Sequence, residues 1–162
     1  MFKTRLLSGI LLVIIALATI ITGGDVLFCT IMAISLIGMT EIYKVLSIEK
    51  TPLGMVGYLA AIYYFVFIAR PLALGRVGFL AIALVMLLMI VYVFSYPKYR
   101  AEQVMLAFFG LFYVAIMLSY VYQIRILENG LYLAFLIFIC SWGCDTSAYC
   151  VGVLIGKHKM AP

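Results

Sequence analysis

Apolar residues come in long unbroken runs along this chain, and polar residues gather in short clusters between them. Neither the two-residue alternation of a half-buried strand nor the one-sided stripe of a soluble helix organises them. Runs near 20 residues match what a hydrocarbon core of about 30 Å requires of a helix. Breakers and charges divide the sequence into six such segments: residues 6–22, 26–46, 53–69, 77–96, 104–123 and 131–156. The stops between them are Gly23-Gly24-Asp25, Ser47 to Pro52, Arg70-Pro71 with Arg76, Pro97 to Gln103, and Arg125 to Gly130. The pattern predicts an all-α, polytopic integral membrane protein of about six transmembrane helices, forming a single transmembrane domain over 1–162.

Composition strengthens that reading. The chain is 68% hydrophobic and 10% charged, where soluble domains have about 25% charged residues. Its mean hydropathy is +1.27. Lys3 and Arg5 before an apolar run, with Ala16-Leu17-Ala18 after it, resemble a cleavable leader. Because Thr19 to Thr22 continue that run, a retained first helix is expected. Several tyrosines near segment ends (Tyr43, Tyr96, Tyr99, Tyr120, Tyr122, Tyr132) read as headgroup anchors. Cys29, Cys140, Cys144 and Cys150 match no zinc spacing and read as small buried residues.

Charge sets the orientation. With the N-terminus inside, the inner loops carry Lys3, Arg5, Lys44, Lys50, Lys98, Arg100, Lys157 and Lys159, and the outer loops carry Arg70, Arg76 and Arg125. This positive-inside bias puts both termini in the cytoplasm and the chain in the cell membrane, surrounded by lipid. No basic run is long enough to suggest nucleic-acid binding.

Candidate chemistry concentrates in the last segment, where Asp145 interrupts an apolar run. An intramembrane carboxylate is costly and points to function. At helical spacing Ser141, Asp145, Tyr149, Gly152 and Gly156 share one face, which should look into the protein or a water-filled cavity. Gly152 and Gly156 form a G-x-x-x-G that admits a closely packed helix. A homodimer is a further partner expectation. Lys157, His158 and Lys159 follow at the inner face, as a plain anchor or as a phosphate-binding cluster. Glu41 has a simple partner in Lys44, three residues on. Asp145 is also a candidate magnesium ligand, since that ion takes one or two carboxylates plus substrate phosphates. No second acidic residue lies nearby in the sequence.

Trp142-Gly143-Cys144-Asp145-Thr146-Ser147-Ala148-Tyr149-Cys150-Val151-Gly152, followed by Gly156-Lys157-His158-Lys159-Met160-Ala161-Pro162, resembles the central motif of bacterial phosphatidate cytidylyltransferases (CDP-diglyceride synthases). Lys3 to Gly9 and Glu41-Ile42-Tyr43-Lys44 are similar to other parts of that family. Gly143-Cys144 stands where the family has Ala-Asn, and Ser147 where it has Gly. The resemblance implies a magnesium-dependent nucleotidyltransferase with CTP and phosphatidate as substrates, making CDP-diacylglycerol and pyrophosphate for phospholipid synthesis. It assigns Asp145 a catalytic and metal-binding role, and Lys157, His158 and Lys159 a role at phosphate. It also implies that the family's C-terminal catalytic region, a Ser-Pro-Lys-Lys loop and a distal paired-Asp signature, is missing, so that this polypeptide alone would be inactive. Two other classes fit the residues without the resemblance. One is a small transporter or channel component coupled through Asp145; the other is a non-catalytic membrane scaffold.

Overall fold

The computed structural model describes residues 2–70 and 72–155. It is helical throughout, with no strand among the described residues. The helices are α1 (Phe2–Thr22), α2 (Gly24–Val45), α3 (Pro52–Tyr64), α4 (Val77–Phe94), α5 (Ala101–Gly110), α6 (Met117–Ile126) and α7 (Gly130–Ile155). A wide π turn, Phe65–Ala69, continues α3, and a second, Leu111–Ile116, joins α5 to α6 in one rod. Five stretches are long and apolar enough to cross a membrane: Gly24–Val45, Pro52–Ala69, Leu74–Phe94, Ala101–Ile126 and Gly130–Gly152. The stretch Leu11–Thr22 within α1 is shorter and also apolar. The protein is a polytopic membrane protein.

The turns have local causes. Thr51 accepts a hydrogen bond from the Gly54 amide at 3.4 Å, and Pro52 occupies the first turn, so α3 starts there. Gln103, in the first turn of α5, accepts from the Arg100 amide at 3.0 Å and donates to the Leu46 carbonyl at 2.9 Å. That second bond ties the start of α5 to the end of α2. Lys44 and Glu41 pair at 2.8 Å, as their spacing predicts.

At the opposite end, Gly23 turns the chain with φ +62°, a conformation that favours glycine. The Arg125 guanidinium lies 3.2 Å from where a Gly23 side chain would begin. Its Nε donates to the Ile20 carbonyl at 2.9 Å and its Nη2 to that of Ile21 at 3.3 Å, so α6 caps the C-terminus of α1. Arg70 pairs with Asp25 at 2.8 Å and stacks over Phe28. Two of the three arginines assigned to the outer loops are therefore joints between helices.

The core lies among α2, α3 and the 101–126 rod, with α1 and α4 outside it and α7 against α6. Tyr43, fully buried, donates to the Ala107 carbonyl at 2.8 Å. Gly57 of α3 and Gly110 of α5 make room for its ring. Tyr43, Tyr99 and Tyr122 are thus core residues and not headgroup anchors, whereas Tyr96, Tyr120 and Tyr132 are exposed. The cysteines also depart from expectation. All four are exposed and free, Cys140, Cys144 and Cys150 because they lie in the exposed later part of α7.

Candidate functional site on helix α7

Helix α7 begins after Asn129, whose left-handed φ of 60° ends the loop from α6. Its first turns are packed: Ala134 is fully buried, and Phe138, partly buried, lies against the core. Phe138 and Trp142 then stack edge to face at 5.4 Å, lining a shallow groove with Leu12, Ala16 and Ile34. Beyond this point the helix leaves the bundle, and residues 139–152 are exposed.

Ser141, Asp145 and Tyr149 all lie on this free-standing portion, with Tyr149 73% exposed. The helix does carry them along one stripe, as the spacing predicts. However, the stripe faces no other element among the described residues, which corrects the expectation that it looks into the protein. The described packing of α7, on α6 and α1, is through Ala134, Phe138 and Trp142 in its earlier turns. Among the described residues, Asp145 has no hydrogen-bond or ion-pair partner. A side chain added at Gly152 would meet nothing within 4 Å. Gly156, Lys157, His158 and Lys159 lie outside the described residues.

Depth follows from helix geometry. Fifteen residues separate Gly130 from Asp145, or about 22 Å of rise, within a hydrocarbon core of about 30 Å. That places the carboxylate in the third of the bilayer nearest the end of the bundle holding Lys44 and Lys50. A charge at such a depth is not left against lipid tails. Asp145 therefore calls for protein, water or ligand beyond the elements that surround α7 here. As a metal donor it stands alone: no group of three His, Cys, Asp or Glu side chains occurs among the described residues. One carboxylate oxygen donor fits a magnesium ion that keeps waters and takes phosphates from its substrate.

Elsewhere the bundle holds a polar cluster that the sequence reading missed. Tyr64 and Ser119 hydroxyls are 2.6 Å apart, and the Gln123 amide donates to both, at 3.1 Å and 2.9 Å. All three are buried. The cluster joins the last residue of α3 to α6. Ser119 and Gln123, four residues apart inside an apolar run, were the available signal.

A cytidylyltransferase family model matches residues 3–162. The chain belongs to the cytidylyltransferase family. This family member is 27% identical over 164 residues to the phosphatidate cytidylyltransferase of Staphylococcus saprophyticus, covering 99% of the chain and 62% of the relative. A Staphylococcus epidermidis protein of the same name is 27% identical over 168 residues, with the same coverage. That of Staphylococcus haemolyticus is 26% identical over 164 residues, again covering 99% of the chain and 62% of the relative. The chain thus spans 62% of the length of the curated relatives it matches. No solved structure matches it.

Proposed function

We propose that this chain forms a membrane-embedded part of a phosphatidate cytidylyltransferase in the cell membrane, with Asp145 in its reaction centre. The observation that carries the reading is a carboxylate on α7 with no partner among the described residues, inside a segment covered by the family match. In the reaction, a phosphatidate phosphate oxygen attacks the α-phosphorus of CTP, forming CDP-diacylglycerol as pyrophosphate leaves. Such transfers depend on positioning and on neutralising phosphate charge. Asp145 would hold a magnesium ion, which when bound offsets the charge of the triphosphate. Lys157, His158 and Lys159, next along the sequence, would meet phosphate oxygens at the cytoplasmic face. Tyr149 and Ser141, one turn on either side of Asp145, would complete a polar track for the phosphatidate headgroup. Because Asp145 is a lone donor among the described residues, further metal ligands are expected from the part of the relatives' length that the match does not cover.

Radiolabelled CTP and phosphatidate in detergent micelles test this. The chain on its own should give little or no CDP-diacylglycerol. Joined to the segment of the S. saprophyticus protein outside the match, it should give magnesium-dependent product. In the joined form Asp145→Asn keeps size and hydrogen bonding but removes the charge, so turnover should fall by orders of magnitude, with expression and helix content unchanged. Normal turnover in that variant would reduce Asp145 to a packing role.

A further inference from the structure

Helices α3 and α4 do not close against each other along their outer faces, and between them runs an open apolar groove of about 940 Å³. That volume lies at the upper end of the range of small-molecule sites, about 300–1,000 Å³. Ala60, Leu80 and Leu84 form its floor, all nearly or fully buried. Tyr63 and Phe67, their rings 5.0 Å apart and tilted by 33°, form one wall, and Phe79 stands opposite, 76% exposed. Along α3 the lining runs from Val56 to Phe67 and along α4 from Arg76 to Leu87. Each stretch rises about 16 Å, which is half of a hydrocarbon core of about 30 Å.

The charge is equally particular. Among the described residues, Arg76 is the only charged side chain lining the groove, and it stands at the end where α4 begins. Arg70 is engaged by Asp25, Arg100 by Glu102 and Lys44 by Glu41, but Arg76 has no carboxylate partner among the described residues. This end also carries the Arg70–Asp25 pair and the Arg125 cap, and is the outer one by the charge bias. An apolar slot one leaflet deep, with an uncompensated guanidinium at headgroup level, has the outline of a phospholipid.

We propose that the α3–α4 groove binds an anionic glycerophospholipid of the outer leaflet, with its phosphate on Arg76 and its acyl chains along Ala60, Leu80 and Leu84. Guanidinium suits this task because it forms paired, charge-assisted hydrogen bonds to phosphate oxygens. The site lies across the membrane from the Asp145 depth and is independent of the cytidylyltransferase reading. The lipid would fill the opening between α3 and α4, above the line where Leu80 and Leu84 already seat α4 against the core.

The test is photo-crosslinking of the purified full chain in detergent with phosphatidylglycerol carrying a diazirine midway along one acyl chain. Labelling should saturate, concentrate on groove residues of α3 and α4, and be displaced by unlabelled phosphatidylglycerol. Arg76→Gln should weaken it about tenfold, while Arg76→Lys, which keeps the charge but not the paired bonds, should weaken it less, by about threefold. Ala83→Trp, which fills the groove from its rim, should abolish labelling, whereas Ile82→Trp, on the neighbouring exposed face, should not. Circular dichroism of each variant separates lost binding from lost fold, and the Arg76 variants leave the groove walls intact. Non-saturating labelling spread over every exposed helix would overturn the proposal. So would equal labelling by a diazirine diacylglycerol lacking phosphate, or crosslinks that join the groove to a second copy of the chain.

Discussion

Tyr43 offers the most exacting test of the packing. Its hydroxyl is buried, donates to the Ala107 carbonyl at 2.8 Å, and lies directly over Gly57. A methyl group at Gly57 would collide first with that hydroxyl, and next with Cζ at 2.9 Å. Tyr43→Phe deletes the hydrogen bond while leaving the ring, and should cost about 1 kcal/mol, within the range of single polar contacts in proteins and membranes. Gly57→Ala alone forces the Tyr43 ring aside and should cost about 1–3 kcal/mol, the usual range for overpacking. Together the two changes should cost less than their sum by about 1 kcal/mol, because Tyr43→Phe removes the atom that the added methyl group strikes. The assay is reversible unfolding in mixed micelles of dodecyl maltoside and SDS, followed by circular dichroism, on the wild type, both single variants and the double variant. Strict additivity would refute the geometry. A neutral Gly57→Ala would show that α2 and α3 lie further apart than the contact with Tyr43 requires.

Three further outcomes are expected. Tags at both termini should report the cytoplasm and a reporter inserted between Arg70 and Arg76 the opposite side, the outcome expected when Leu11–Thr22 crosses along with the five longer apolar stretches; a C-terminus on the outer side would overturn the proposed meeting of Lys157 to Lys159 with a cytoplasmic nucleotide. Arg125→Gln should lower bundle stability by about 1–3 kcal/mol in the same micelle assay, because it uncaps Ile20 and Ile21. Gly152→Leu should leave the unfolding midpoint of the chain unchanged, as its new side chain meets nothing among the described residues, while a marked loss of stability would place another helix against that face.

Several limits of the helices rest on local signals in the sequence. Thr51-Pro52 opens α3, Gly23-Gly24 divides α1 from α2, and Pro97 to Arg100 precedes the 101–126 rod. What hydropathy alone could not give was the facing of side chains. Among helices apolar all round, burial carries no sequence signature, so Tyr43 and Tyr122 looked like interface residues and the cysteines like core. The π turns after Tyr64 and Gly110 were equally silent, for they shift the register of side chains without any glycine or proline break in the run. Asp145 was legible because a lone carboxylate stands out against 68% hydrophobic composition. Its surroundings were not, since helical projection predicts which residues share a face but not which neighbour that face meets.

The arginine that caps α1 also sets a timetable for biosynthesis. Arg125 is separated from Ile20 by 105 residues. At translation speeds of about 5–20 residues per second, roughly 5–20 s pass between synthesis of the two partners. During that interval the α1 C-terminal carbonyls have only water and headgroups for company, and α2 is the neighbour available to hold the first helix. The ribosome must therefore deliver most of the bundle before its opening helix is locked, so the 20–25 turn closes only after α2 to α6 have been made.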